Sequence, residues 1–179
     1  MENQDDVADI GPAKVAAAHG AAARVTTKRR GVYVASRASV PERGAMWRRL
    51  RAEGWLINSS WIDEDGEGQT ADFGELWIRI EAEIKRSTGL VFYAEPDDLP
   101  LKGAYIEVGM ALSAGLPVCA VLPDITLDPR SYRPIGSWLR HPLVRIVRTV
   151  EVAFSNLGVR SVLPPQPPVA AAPAPAGPR

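Results

Sequence analysis

The chain has 179 residues, 46% of them hydrophobic and 23% charged, with 21 Lys and Arg against 21 Asp and Glu. That length carries one ordinary domain with a real core. The balanced charge argues against bulk nucleic-acid binding, which needs a basic surplus to displace counterions, and against a polybasic membrane anchor. One cysteine forms no internal disulfide, and two scattered histidines, His19 and His141, make no metal site. No apolar run reaches the roughly 18 residues of a membrane span. The start, Met-Glu-Asn-Gln-Asp-Asp, lacks the basic n-region of a secretion signal. The expectation is a cytoplasmic protein with no cofactor, no metal, no nucleic acid and no membrane partner.

Residues 1–30 are alanine-rich and poor in large apolar side chains, so they read as a loosely structured tail. Residues 161–179 hold seven of the 16 prolines and read as an extended tail. The predicted folded unit is 31–160. Within it, Val32-Tyr33-Val34-Ala35 is the first predicted strand. A helix follows over 42–53, with Met46, Trp47 and Leu50 at helical spacing. Trp55-Leu56-Ile57 is a second strand, followed by a polar, acidic loop over 63–68. Leu76, Ile80 and Ile84 mark a helix over 71–87. Leu90-Val91-Phe92-Tyr93 is a third strand, 102–114 a helix, 117–122 a fourth strand and 144–147 a fifth. Helices between apolar, unalternating strands imply crossovers and a parallel sheet covered on both faces. The expected architecture is a three-layer α/β domain with a mostly parallel five-stranded sheet in order 2-1-3-4-5. Ligands in such sheets bind at the carboxyl ends of the strands, which draws attention to the loops after Ala35, Ile57, Tyr93 and Leu122.

Glu107 is the single charged residue in the stretch 103–115, which is apolar or small on every side. A helix of that composition is largely buried, and an unpaired carboxylate in it costs several kcal/mol unless it is bonded. Near the positive end of the helix its ionised form is favoured. Gly103 and Ala111 leave space beside it. A buried carboxylate at the ligand-binding edge suits nucleophilic attack, and the plainer alternative is a structural Glu bonded to an amide or an arginine.

These residues resemble a known family. The opening strand Val32-Tyr33-Val34-Ala35-Ser36, the run Gly103-Ala104-Tyr105-Ile106-Glu107-Val108-Gly109-Met110-Ala111-Leu112 and the exit Gly115-Leu116-Pro117-Val118 are similar to the nucleoside 2-deoxyribosyltransferase-like superfamily. That group includes deoxyribosyltransferases and nucleoside monophosphate N-glycosidases. The resemblance implies that Glu107 attacks the anomeric carbon of a nucleoside or nucleotide, forming a glycosyl-enzyme that water or a second base resolves. It implies that Tyr33 hydrogen-bonds the nucleophile, although a strand tyrosine is as readily a core aromatic. It also implies a homo-oligomer. The chain departs from the family pattern at Leu101, where an Asp or a phosphate-holding Ser is usual, at Gly89 in place of an Asp, and at Ala82 in place of an acid.

Substrate contacts are expected from two loops. After the second strand, Trp61 is placed to stack on a base, and Asp63 or Glu64 to protonate it or accept its amino hydrogens. A hydrophobic plug and a solvated acidic turn are the plainer alternatives. After the first strand, Ser36-Arg37-Ala38-Ser39 offers hydroxyls and a guanidinium for a 5′-phosphate. Asp97-Asp98 reads as a cap for the helix that follows, and Cys119 as an inert core thiol. Two further functions compete with N-glycosidic cleavage: a module that binds a nucleotide without turning it over, and an NAD glycohydrolase.

Overall fold

The computed structural model describes residues 31–64 and 72–159. Both predicted tails and most of the acidic loop lie outside the described residues. The elements, in chain order, are β1 (Tyr33–Ala35), α1 (Pro41–Ala52), α2 (Phe73–Lys85), β2 (Leu90–Tyr93), α3 (Lys102–Ser113), β3 (Val118–Val121), β4 (Val144–Val147) and α4 (Val150–Asn156), with short 3-10 turns at Ser60–Asp63, Pro96–Asp98 and Ser137–Arg140. The strands form one parallel sheet in the order β1-β2-β3-β4.

The expected five strands in order 2-1-3-4-5 are therefore corrected to four strands in order 1-2-3-4. The segment Trp55-Leu56-Ile57 contributes one parallel bridge, Val32 to Ile57, and no strand. The cause is local. After that bridge, the outward edge of β1 is taken by side chains. The Val34 N–H donates to Ser59 Oγ at 2.7 Å, and the Val34 carbonyl accepts from Trp61 Nε1 at 2.8 Å. With both backbone groups of Val34 already bonded, no ladder extends past Ile57. These side chains also cover the sheet edge.

Consecutive strand residues point to opposite faces. Phe92 stacks on Tyr105 of α3 with ring centroids 5.7 Å apart, whereas Tyr93 meets Trp47 of α1 edge-on at 5.8 Å. So α3 and α1 lie on opposite faces and the sheet is the middle layer. β1, β2 and β3 are apolar and buried, with Tyr33, Val34, Leu90, Val91 and Phe92 inaccessible to solvent, whereas the edge strand β4 carries Arg145 and the half-exposed Ile146. In α2, Ile80 and Ile84 turn inward as their spacing demands, and Asp72 caps the helix by accepting from the Gly74 and Glu75 N–H groups. α4 is a helix the hydropathy pattern did not reveal. It has seven residues, too few for a strong period, and is fixed by the Thr149 hydroxyl accepting from Val152 N–H and by Ala153 and Phe154 in the core. Among the described residues no helix is long and apolar enough to cross a membrane.

Candidate active site

The carboxyl ends of β1 and β2 and the start of α3 enclose a cavity of about 450 Å³. Its wall is built by the loop after β1 (Ser36, Arg37, Ala38, Ser39) and by the first turns of α3 with the loop before it (Pro100, Leu101, Lys102, Gly103, Ala104). Glu107 lies in its lining and is only 8% exposed. Of the two small residues expected to leave room there, Gly103 lines the cavity, whereas Ala111 is packed in the core and is not in the lining. A Cβ built on Gly103 would touch nothing within 4 Å.

Tyr33, fully buried in β1, donates its hydroxyl hydrogen to Glu107 Oε1 at 2.9 Å. The residue is thus a core aromatic and a partner of the carboxylate at once. Glu107 itself is not the firmly ionised group expected from its helix position. Burial lifts its pKa from the ordinary 4.5 to about 7, the Tyr33 hydrogen bond pulls it back in part, and the nearby Glu83 carboxylate pushes it up further. Desolvation outweighs the helix end here because the side chain is enclosed by Tyr33 and apolar neighbours. Burial and the adjacent Glu107 also hold the Tyr33 phenol well above its usual range.

The structure brings Glu107, Tyr33, Ser36, Arg37 and Gly103 to one place, and it leaves Trp61, Asp63 and Glu64 out of the cavity lining. Trp61 is a buried plug: its indole N–H is spent on the Val34 carbonyl, so its ring cannot swing out to a base. Asp63 is paired with Arg51 and Glu64 with Arg79, two partially exposed ion pairs. Among the described residues, Glu107 is the one acid in the cavity lining.

The departures from the family pattern also have physical causes. At Gly89 a Cβ would sit 2.6 Å from Leu157 Cδ2 and 2.7 Å from the Pro117 carbonyl oxygen, so no acidic side chain fits. Ala82 faces solvent, while its neighbour Glu83 turns inward and is 2% exposed. Glu83 accepts from the Ser60 N–H at 3.0 Å and pairs with Arg86 at 3.3 Å, so it is occupied in holding the 3-10 turn. The reading that Asp97-Asp98 caps α3 is corrected too. Asp98 closes the preceding 3-10 turn by accepting from Glu95 N–H at 2.9 Å, and α3 begins at Lys102 with Leu101 at the cap position and no side-chain cap.

Several site residues were missed. Glu83 was legible in principle, since it falls three residues after the inward-facing Ile80. Arg43, Glu95, Asp98 and Trp47 brace the loops around the cavity from a distance. Arg43 bonds Asp98 at 3.0 Å and Glu95 at 2.7 Å, and its guanidinium lies over the Tyr93 ring at 5.3 Å. Sequence spacing carries no trace of those pairings, since Arg43 and Asp98 are 55 positions apart. Cys119 is buried in β3, and burial pushes its thiol up to about 11, as expected of an inert core residue.

No family model and no curated protein matches the sequence. Among solved structures, the chain is similar to a 2-deoxyribosyltransferase from Leishmania mexicana, with 17% identity over 71% of this chain and 95% of that one and a TM-score of 0.51. It is also similar to a CMP N-glycosidase from Clostridium botulinum, with 14% identity over 67% of this chain and 88% of that one and a TM-score of 0.42. At such identity a likeness speaks for the fold alone, and the described chain shares its fold with the Leishmania mexicana 2-deoxyribosyltransferase.

Proposed function

We propose that the protein cleaves the N-glycosidic bond of a nucleoside or nucleoside 5′-monophosphate, with Glu107 as nucleophile. The observation that carries this reading is a buried carboxylate, bonded by Tyr33, in the lining of a cavity of about 450 Å³ that also presents Arg37, Lys102, Ser36 and Ser39 beside the apolar Pro100 and Leu101. Ionised Glu107 forms a C1′–O ester as the C1′–N bond breaks. The nucleobase leaves with the bonding electron pair and takes a proton. Water then hydrolyses the ester, or the nitrogen of a second base displaces Glu107 to give a new nucleoside. The departing base takes its proton from water in this reading; among the described residues Glu107 is the single acid in the cavity lining. Ser36, Arg37 and Ser39 line the cavity and offer hydroxyls and a guanidinium that would hold a 5′-phosphate. A mass-spectrometric screen of nucleosides and their 5′-monophosphates, with and without an acceptor base, tests this. Base release by the native chain that disappears in Glu107→Ala supports it, and release that survives in Glu107→Ala overturns it.

The nucleophile must be ionised, so kcat/KM is expected to rise about tenfold per pH unit below about 7 and to level off above. In Tyr33→Phe the carboxylate loses a donor that lowers its pKa, so the inflection is expected to move to higher pH. A pH–rate profile of the two proteins checks this. An unmoved or acid-shifted inflection would remove Tyr33 from the mechanism.

A nucleotide-binding module without turnover is favoured by one feature, Leu101, which is buried at the cavity where the family pattern has a polar residue. Tight nucleotide binding with no base release over hours would establish it.

The homo-oligomer implied by the resemblance has a face to use. Phe73 and Ile78 on α2 and Ile106 on α3 are 68%, 70% and 51% exposed. Met110 on α3, one turn beyond Ile106, lines a groove of about 270 Å³ between the two helices. Light scattering is expected to report a dimer or larger that Ile78→Asp weakens, and a strictly monomeric native chain would exclude it.

A further inference from the structure

The hydroxyls beside the cavity have a fixed hydrogen-bond polarity. Trp47 Nε1–H donates to Ser36 Oγ at 2.9 Å. An indole nitrogen donates and never accepts. Ser36 therefore cannot return its own hydrogen to Trp47, and no described residue is bonded to accept it. Arg37 Nε–H donates to Ser39 Oγ at 3.1 Å, so the second hydroxyl is in the same state. Arg37 is held in turn by donating from Nη1 to the Asp97 carbonyl at 2.9 Å. Lys102, across the same cavity, is another group that only donates.

Trp47 is well suited to impose this polarity. It is fully buried in α1, and its ring meets Tyr93 edge-on at 5.8 Å, so the N–H direction is set by the core. We infer that Trp47 is a positioning residue: it occupies the Ser36 oxygen from behind and turns the Ser36 hydrogen toward the cavity, where with Ser39, Arg37 and Lys102 it forms a wall of donors that selects a phosphomonoester. A phosphate dianion accepts through every exposed oxygen and donates through none, so each of these groups finds a partner. A neutral sugar hydroxyl, which must also donate, leaves part of the wall facing its own hydrogen. This deepens the proposed function by naming the charged end of its substrate, and its test is a binding test that does not depend on turnover.

The measurement is calorimetric binding of the common nucleoside 5′-monophosphates, their nucleosides and inorganic phosphate, to full-length protein carrying Glu107→Gln so that nothing is consumed. Trp47→Phe keeps the aromatic packing and deletes the N–H. It is expected to weaken 5′-monophosphate binding roughly five- to tenfold and to leave nucleoside binding unchanged. Ser36→Ala is expected to do the same, and adding Trp47→Phe to Ser36→Ala is expected to change nothing more, because Trp47 acts through Ser36. Inorganic phosphate following the same pattern places the effect on the phosphate and not on the rest of the nucleotide. Equal losses for nucleoside and nucleotide, no loss in either variant, a further loss in the double variant, or no 5′-monophosphate binding at all would each overturn the assignment. If Trp47→Phe does not fold, an undiminished affinity in Ser36→Ala still overturns it. A native chain that shows the binding pattern but releases no base would remove the proposed reaction and leave the role of Trp47 standing.

Discussion

Glu107→Gln is expected to lower nucleobase release by roughly 10³-fold or more while making the folded protein more stable above neutral pH. The two effects have one origin. Glu107 is 8% exposed, and its pKa is lifted from 4.5 to about 7, chiefly by burial. The folded state thus holds a proton that the unfolded chain has already released between those two values. Where the native state binds more protons than the unfolded one, stability falls as pH rises. The native chain therefore keeps its full stability below about 4.5, loses it through about 7, and is flat above. The size of the loss is on the order of 3 kcal/mol by linkage. Glutamine has nearly the same shape, still accepts from the Tyr33 hydroxyl, and never ionises. The variant and the native chain should unfold alike in urea at pH 4, and the variant should be the more stable at pH 8. Equal stability at both pH values would mean that Glu107 is not held in a desolvated place, and the case for a strained, poised nucleophile would go with it. Such opposition of stability and activity is characteristic of sites where a charge is kept for chemistry.

What was legible in the sequence follows from how far apart the interacting residues lie. Apart from the short α4, the helices announced themselves through local periods: Leu76, Ile80 and Ile84 placed α2, and the apolar run around Glu107 placed α3. The cavity wall was legible because its two loops each follow a predicted strand, and ligands collect at that edge of a parallel sheet. The second strand failed because β pairing is decided by the partner. Trp55-Leu56-Ile57 has strand composition, but Ser59 and Trp61 occupy the Val34 backbone first. The expectation for Trp61 failed for the same reason, since its N–H seals the sheet edge and does not face a ligand. Asp63 and Glu64 read as candidate acids only while Arg51 and Arg79 were unplaced. The ionisation of Glu107 was misjudged because a sequence shows the helix end but not how tightly Tyr33 and the core enclose the carboxylate.

Asp98→Ala is expected to cost about 3 kcal/mol of stability, the low end for breaking a buried ion pair. Asp98 is 1% exposed; it accepts from Arg43 Nε at 3.0 Å and from Glu95 N–H at 2.9 Å. Removing it leaves a backbone N–H without a partner and a guanidinium only 12% exposed with Glu95 alone to bond. Because Arg43 keeps that second carboxylate, the cost stays well short of a stranded charge. The consequence reaches the cavity through the next residue. The Asp97 carbonyl holds Arg37, and the same segment leads through Pro100 into Leu101 and the first turn of α3. Loosening the Asp98 turn lets the Arg37 anchor drift while the Tyr33–Glu107 bond, set by β1 and mid-α3, stays in place. KM for a phosphorylated substrate is therefore expected to rise more than kcat falls. Asp97→Ala supplies the contrast. The Asp97 side chain is exposed and only its carbonyl is used, so that substitution should change stability by less than about 0.5 kcal/mol and leave KM unaltered. Two adjacent aspartates with opposite outcomes, read by thermal unfolding and initial rates, would show that the buried pair and not local acidity sets the geometry of the cavity wall. Equal effects from the two substitutions would refute that division.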